Sequence, residues 1–140
     1  MKAVKRVLVV EDNEPNRVLV TDLLKLLRCE VFYATDGQEA VTLARSQRPD
    51  LILMDLQLPG LDGFTATRIL KEDSQTRDIP IIGISSYAFN REKEQFEQAG
   101  GDAYLTKPFD LDQFFALVKK YLQGVDEDEG PAPDPAGGRQ

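Results

Sequence analysis

Five short apolar runs, each followed by a segment with the periodicity of an amphipathic helix, constrain the fold of this chain most strongly. The runs begin near residues 7, 31, 51, 79 and 103. Because a strand, a crossover helix and the next strand together take about 30 residues, this alternation predicts βαβ units. Such units build a parallel sheet with helices on both faces. We therefore expect an α/β fold with a doubly wound, five-stranded parallel sheet.

The segments between the apolar runs carry typical helix signals. Asn13 and Asp36 are predicted to cap the first two helices, and Pro15 suits the first turn of the first one. Asp110 is the predicted cap of the last helix, and Phe96 the predicted core anchor of a short, charged fourth helix. The first helix is expected to pack through apolar residues at helical spacing, namely Val18, Leu19, Leu23, Leu26 and Leu27.

The third apolar run indicates where a binding site would form. Leu51 to Met54 are apolar without interruption, which is typical of a strand buried on both faces, and Asp55 follows directly. In open parallel sheets, ligands bind at the carboxyl ends of the strands. We therefore expect Asp55 at the ligand-binding edge, together with the residues that end the other strands.

Acidic residues end two of these strands. Glu11 and Asp12 close the first apolar run, and Asp55 closes the third. Neighbouring carboxylates repel one another, which raises at least one pKa unless a cation compensates. A hard divalent ion with oxygen ligands suits such a cluster, so the sequence predicts Mg²⁺, with the backbone carbonyl of Gln57 as a further ligand.

A cation and hydroxyl groups are expected beside these carboxylates. Ser85 and Ser86 end the fourth strand, and Lys107 follows the fifth. A lysine ammonium group suits a phosphoryl oxygen, and the Ser85 hydroxyl can donate a hydrogen bond to the same group. Together these residues predict the formation of an aspartyl phosphate, with Asp55 as the nucleophile.

Composition excludes several classes of function. A net charge of -7 and an isoelectric point of about 4.6 argue against nucleic acid and anionic membranes as partners. The absence of histidine excludes imidazole-based metal sites and catalytic triads. The single cysteine, Cys29, fits a reducing compartment, and no apolar run approaches the roughly 18 residues of a membrane span. We therefore expect a cytoplasmic protein.

The composition changes after Gly124. Residues 125–140 are rich in acid, proline and glycine without apolar periodicity, which predicts a disordered tail. Residues 1–124 are then expected to form one folded domain.

Four segments resemble a known family. Over about residues 5–123 the chain resembles the receiver domain of two-component response regulators, through VLVVEDN, LILMDLQLPGLDG, IIGISSYA and AGGDAYLTKPF. The resemblance implies a flavodoxin-like sheet with strand order 2-1-3-4-5. It also implies that Asp55 accepts a phosphoryl group from a partner's phosphohistidine. Ser85 would be the switch hydroxyl and Lys107 the phosphate-binding lysine.

The same resemblance implies the metal ligands and two tuning positions. Asp12 would bind Mg²⁺ directly and Glu11 through water, and the Lys107–Pro108 peptide bond would be cis. Gln57 and Tyr87 stand at positions that in this family tune how fast the phosphoryl group is lost.

A route for signal output is also implied. Tyr104 stands at the switch-aromatic position, where its ring would turn as the phosphoryl group draws the serine hydroxyl inward. A downstream protein would then bind to the face formed by the fourth helix, fifth strand and last helix. Leu117 and Tyr121 either belong to that face or widen the core stripe of the last helix.

These features predict a stand-alone response regulator of a two-component or phosphorelay system. Its partners would be a histidine kinase or histidine phosphotransfer protein and a downstream protein, and it would be a monomer or a phosphorylation-dependent dimer. It would catalyse only its own phosphorylation and dephosphorylation, and would not be a turnover enzyme. The alternative is a pseudo-receiver, an interaction module that never carries phosphate.

Overall fold

The computed structural model describes residues 4–86 and 90–123 of the 140-residue chain. The chain forms two compact units that divide between Phe109 and Asp110. Within its described residues, the first unit contains five strands and four helices in alternation: β1 Arg6–Val10, α1 Glu14–Leu26, β2 Glu30–Ala34, α2 Gly37–Gln47, β3 Leu51–Asp55, α3 Gly63–Glu72, β4 Ile81–Ser85, α4 Asn90–Gln98 and β5 Ala103–Thr106.

The five strands form one parallel sheet in the order β2-β1-β3-β4-β5. This is the doubly wound parallel sheet that the sequence pattern predicts, with the flavodoxin-like strand order that the family resemblance implies. The register aligns Val10 with Met54 and Asp55 with Ile84, so the strands β1, β3 and β4 end close to one another. Because all strands run in the same direction, their carboxyl ends share one edge of the sheet.

Position in the sheet explains the residue pattern of each strand. Every residue of the inner strands β3 and β4 is buried, which accounts for their unbroken apolar runs. The edge strand β2 exposes Glu30 and Tyr33. The strand β4 begins at Ile81, two residues later than predicted, because Pro80 has no N–H to donate; its carbonyl accepts from Ile52 N at 3.0 Å.

Two predicted helix caps are confirmed. Asn13 Oδ1 accepts from Asn16 N at 2.9 Å at the start of α1, where Pro15 occupies the first turn. Asp36 Oδ1 accepts from Glu39 N at 2.8 Å at the start of α2. Each cap satisfies a backbone donor that the helix leaves without an internal partner.

The predicted packing face of α1 is wrong in part. Val18, Leu19 and Leu26 are about half or more exposed, whereas the buried residues of this helix are Val20, Leu23 and Leu24. Positions 20, 23, 24 and 27 follow the i, i+3, i+4, i+7 spacing of one helix face. Since this helix carries apolar residues on more than one face, periodicity alone did not select the buried one.

The helices α2, α3 and α4 share one core with the sheet. Phe96 is the only buried side chain described between residues 91 and 98 of α4, as predicted. Its ring fills the space beside Gly83 and Gly101: a Cβ atom at Gly101 would collide with the ring, and one at Gly83 would make a tight contact at 3.0 Å. The same core cluster also contains residues of β1, β3, α2 and α3, among them Leu8, Val10, Ile52, Met54, Ala40, Val41, Ala44, Ala66 and Leu70.

The second unit contains helix α5, Leu111–Gln123. Asp110 precedes it, and its carboxylate accepts from Asp112 N at 3.2 Å. The buried residues of α5 recur every four positions, at Phe114, Val118 and Leu122. Leu117 and Tyr121 are half-buried, which favours neither of the two roles considered for them. Tyr87 and the predicted tail 125–140 lie outside the described residues.

Candidate acidic site at the carboxyl edge of the sheet

The carboxyl edge of the sheet brings together the residues that the sequence singled out. Glu11 and Asp12 directly follow β1, Asp55 and Ser85 are the last residues of β3 and β4, and Lys107 follows β5. Parallel strands place these ends side by side.

Three carboxylates form the centre of the site. One oxygen from each of Glu11, Asp12 and Asp55 lies within 4.8 Å of the others. Glu11 is 5% exposed and Asp55 4% exposed, whereas Asp12 is exposed to solvent. The cluster is therefore closed on the side of the sheet and open on the side of Asp12, so that an ion or a small anion can enter from water.

Lys107 provides a positive charge inside the cluster. Its Nζ lies 3.2 Å from Glu11 Oε1 and 3.6 Å from Asp55 Oδ2. The backbone N of Lys107 donates to the Ser85 carbonyl at 2.7 Å, which fixes the start of this loop against β4. The Lys107–Pro108 peptide bond is cis, as expected. One ammonium group stands against three carboxylates, so the site retains negative charge.

The ionisation of Asp55 reflects this environment. Burial raises the pKa of Asp55 to about 6, although the hydrogen bond from Gln57 N to Oδ1 opposes the increase. That pKa of about 6 includes an increase caused by the adjacent Glu11 carboxylate and a decrease caused by the Lys107 ammonium group. A buried carboxylate beside other carboxylates favours a cation. The oxygen-only donor set fits a hard divalent ion.

Hydrogen bonds from the Gln57 side chain connect the loop after β3 to the end of β4. Gln57 Nε2 donates to Ser85 Oγ at 2.6 Å, and Gln57 Oε1 accepts from Ser86 N at 3.2 Å. Gln57 N also donates to Asp55 Oδ1 at 2.9 Å. The sequence placed Gln57 near the metal through its backbone carbonyl and did not indicate these side-chain contacts. The carbonyl remains a predicted ligand.

Comparison with known proteins establishes the family. The sequence model of the response regulator receiver domain family matches residues 7–119 of this chain. The chain belongs to this family. Two curated relatives, the polar-differentiation response regulators DivK of Brucella anthropi and Brucella ovis, are each 42% identical over 118 residues, which cover 84% of this chain and 96% of each relative.

Solved receiver structures share the fold. The receiver domain of the Pseudomonas aeruginosa sensor histidine kinase PA1611, which has a magnesium ion coordinated in its active-site cleft, aligns with a TM-score of 0.79 and 37% identity. That alignment covers 86% of this chain and 98% of the PA1611 chain. The Vibrio cholerae chemotaxis response regulator CheY4 aligns with a TM-score of 0.80 and 28% identity over 86% of this chain and all of CheY4.

Two features that support this receiver site were not predicted. Arg17 donates to the Glu11 carbonyl at 3.0 Å, and its guanidinium group lies 4.3 Å from the centroid of the Tyr33 ring. Gly63 starts α3 so close to β3 that a Cβ atom would lie 2.5 Å from the Asp55 carbonyl oxygen. The Asp-Gly pair at 62–63 was a usable signal for a capped helix start, whereas nothing in the sequence indicates the Arg17 contacts.

Tyr104, the predicted switch residue, lies on β5 and is half-buried. Its ring centroid is 6.2 Å from that of Phe96, with the planes inclined by 51°. The ring therefore contacts the core anchor of α4. Among the described helices of this receiver, no helix has both the length and the apolarity to cross a membrane.

Proposed function

We propose that this receiver domain accepts a phosphoryl group on Asp55 from the phosphohistidine of a partner protein, in a reaction that depends on Mg²⁺. The observation that carries the proposal is the arrangement around Asp55. Its nearly buried carboxylate lies 3.6 Å from the Lys107 ammonium group and beside two further carboxylates. The partner would be a histidine kinase or a histidine phosphotransfer protein.

The acidic cluster is the proposed Mg²⁺ site. Asp12 and Asp55 would bind the ion directly, Glu11 through water, and the Gln57 carbonyl would complete the protein ligands. The support is the oxygen-only donor set within 4.8 Å and the magnesium ion in the cleft of the PA1611 receiver domain. When bound, Mg²⁺ neutralises the charge shared by these carboxylates and the phosphoryl oxygens.

Asp55, Lys107 and Ser85 each have a distinct role in the proposed phosphoryl transfer. A carboxylate oxygen of Asp55 attacks the phosphorus atom, the P–N bond to the partner's imidazole breaks, and an aspartyl phosphate forms. The Lys107 ammonium group holds a phosphoryl oxygen, and Ser85 donates a hydrogen bond to another. The protein would thus catalyse only its own phosphorylation and the later hydrolysis of the aspartyl phosphate.

The output of the phosphorylated receiver is proposed to be protein–protein contact. Tyr104 packs beside Phe96 of α4, so a change in the tyrosine ring would alter the core contact of that helix. Because the buried ring of Phe96 anchors α4, small changes in the packing of this ring should alter the surface of α4 that a partner protein recognises. The family resemblance predicts that the last helix also belongs to the partner-binding face, and cytoplasmic localisation remains a prediction.

Phosphorylation by acetyl phosphate tests the proposal. The wild type should gain a phosphoryl adduct in intact-mass spectra with Mg²⁺ but not with EDTA. Asp55→Asn should gain none, whereas Asp78→Asn, which changes an exposed aspartate, should behave like the wild type. Absence of any adduct on the wild type would favour a pseudo-receiver, an interaction module that does not carry phosphate.

A further inference from the structure

The side chain of Gln57 places a defined restraint on the Ser85 hydroxyl. Its amide connects the loop after β3 to the end of β4, with Nε2 donating to Ser85 Oγ at 2.6 Å and Oε1 accepting from Ser86 N at 3.2 Å. Ser85 is fully buried, whereas Gln57 and Ser86 are exposed. An exposed amide thus closes over a buried hydroxyl at the edge of the site.

Chemistry fixes the direction of both hydrogen bonds. A backbone N–H can only donate, so the atom of Gln57 that faces Ser86 must be the carbonyl oxygen. The other amide atom, Nε2, can only donate, so the Ser85 oxygen accepts from it. The proton of the Ser85 hydroxyl must therefore be directed away from Gln57.

We propose that Gln57 is a positioning residue that holds Ser85 as a hydrogen-bond donor for the phosphoryl group on Asp55. The inference rests on the proposed function. A phosphoryl group offers strong acceptor oxygens, so a hydroxyl stabilises it only when its proton points toward it. Because Gln57 Nε2 donates to one lone pair of Ser85 Oγ, the Ser85 hydroxyl is held as a hydrogen-bond donor before the phosphoryl group binds.

Trifluoroberyllate, a tetrahedral anion that binds a carboxylate oxygen, provides the probe. Its affinity in the presence of Mg²⁺ can be measured by ¹⁹F NMR. Gln57→Met retains the length of the side chain but removes both hydrogen bonds, and should weaken binding about 2- to 10-fold. Gln57→Glu replaces the donor with an acceptor, so the Ser85 proton should turn toward it and binding should weaken further.

A double-mutant cycle separates this role from a general structural role or a charge effect. In a Ser85→Ala background, Gln57→Met should cause no further loss of affinity, and the effect of Gln57→Glu should shrink to that of its charge. Equal losses in both backgrounds would overturn the inference, because Gln57 would then act without Ser85. Failure of the wild type to bind trifluoroberyllate would instead overturn the proposed function, and the inference with it.

Amide hydrogen exchange in EDTA tests the bridge without metal or anion. The Ser86 amide should exchange faster in Gln57→Met than in the wild type, because its acceptor is lost. Gln57→Glu retains an oxygen at that position and should restore slow exchange. Unchanged exchange in Gln57→Met would contradict the bridge and the inference that depends on it.

Discussion

Replacement of Asp55 by asparagine should stabilise the metal-free protein. Asparagine has nearly the shape of a protonated aspartate, and its carbonyl oxygen can still accept the hydrogen bond from Gln57 N. The substitution removes the charge whose burial, together with the adjacent Glu11, raises the pKa of Asp55. The folded variant therefore avoids the free-energy cost of burying an ionised carboxylate beside Glu11.

The magnitude follows from that pKa. A pKa of about 6, against the ordinary value of 3.8, corresponds to about 3 kcal/mol of unfavourable free energy for the ionised form. Water reaches the cluster beside the exposed Asp12 and screens part of this repulsion, so we expect a gain of about 1–2 kcal/mol. With typical denaturant slopes, the urea midpoint should rise by about 1 M.

The stability that Asp55→Asn gains over the wild type should increase with pH. Below pH 3.8, Asp55 is protonated in both the folded and unfolded states, so the two proteins should be about equally stable. Between 3.8 and about 6 the unfolded wild type loses its proton first, and wild-type stability falls relative to that of the variant. Above pH 6 the full difference should be present.

Urea unfolding followed by far-UV circular dichroism in EDTA measures this difference, since the chain has no tryptophan. Asp78→Asn is the matched control, because it removes one negative charge from an exposed position. A variant no more stable than the wild type at pH 7.5 would refute the electrostatic reasoning. So would a gain that stays constant down to pH 4, or one that Asp78→Asn reproduces.

Three further outcomes follow from single contacts. Lys107→Met should raise the pKa of Asp55, since the Lys107 ammonium group lowers it; ¹³C NMR titration of the carboxyl carbon in EDTA checks this, and an unchanged titration would contradict the contact. Asn13→Ala should destabilise the protein by about 1 kcal/mol in urea unfolding, through loss of the α1 cap, and a neutral effect would contradict that cap. Gly101→Ala should cost about 1–3 kcal/mol because its Cβ overlaps the Phe96 ring, whereas an equally stable variant would mean that the ring can move away.

The sequence was most informative where one physical requirement dominated. The inner strands β3 and β4 are buried along their whole length, which favours apolar residues up to the polar residue that ends each strand, and these apolar runs are recognisable in the sequence. The carboxyl edge followed from the parallel direction of the strands. The order of the strands came from the family resemblance, because alternation of strand and helix patterns alone is compatible with other orders.

Predictions failed or were missing where several arrangements satisfied the same pattern. The helix α1 carries apolar residues on more than one face, and the choice of Val20 over Leu19 depends on packing that periodicity does not encode. The Gln57 amide reaches residues 28 and 29 positions away, and Arg17 reaches an aromatic ring on β2. Long polar side chains adopt many rotamers, so such contacts appear only when the backbone around them is known.

The carboxylates that suit this site to a cation also lower the stability of the metal-free protein. The carboxylates of Glu11 and Asp55 are buried beside a single ammonium group, so the folded metal-free protein retains a repulsion that the unfolded chain relieves. Any cation that binds the folded protein alone relieves the same repulsion and stabilises that state by mass action. The stability that Asp55→Asn gains should therefore diminish when Mg²⁺ is added, because the wild type then gains stability that the variant lacks. Asp78→Asn, which leaves the cluster intact, should respond to Mg²⁺ as the wild type does.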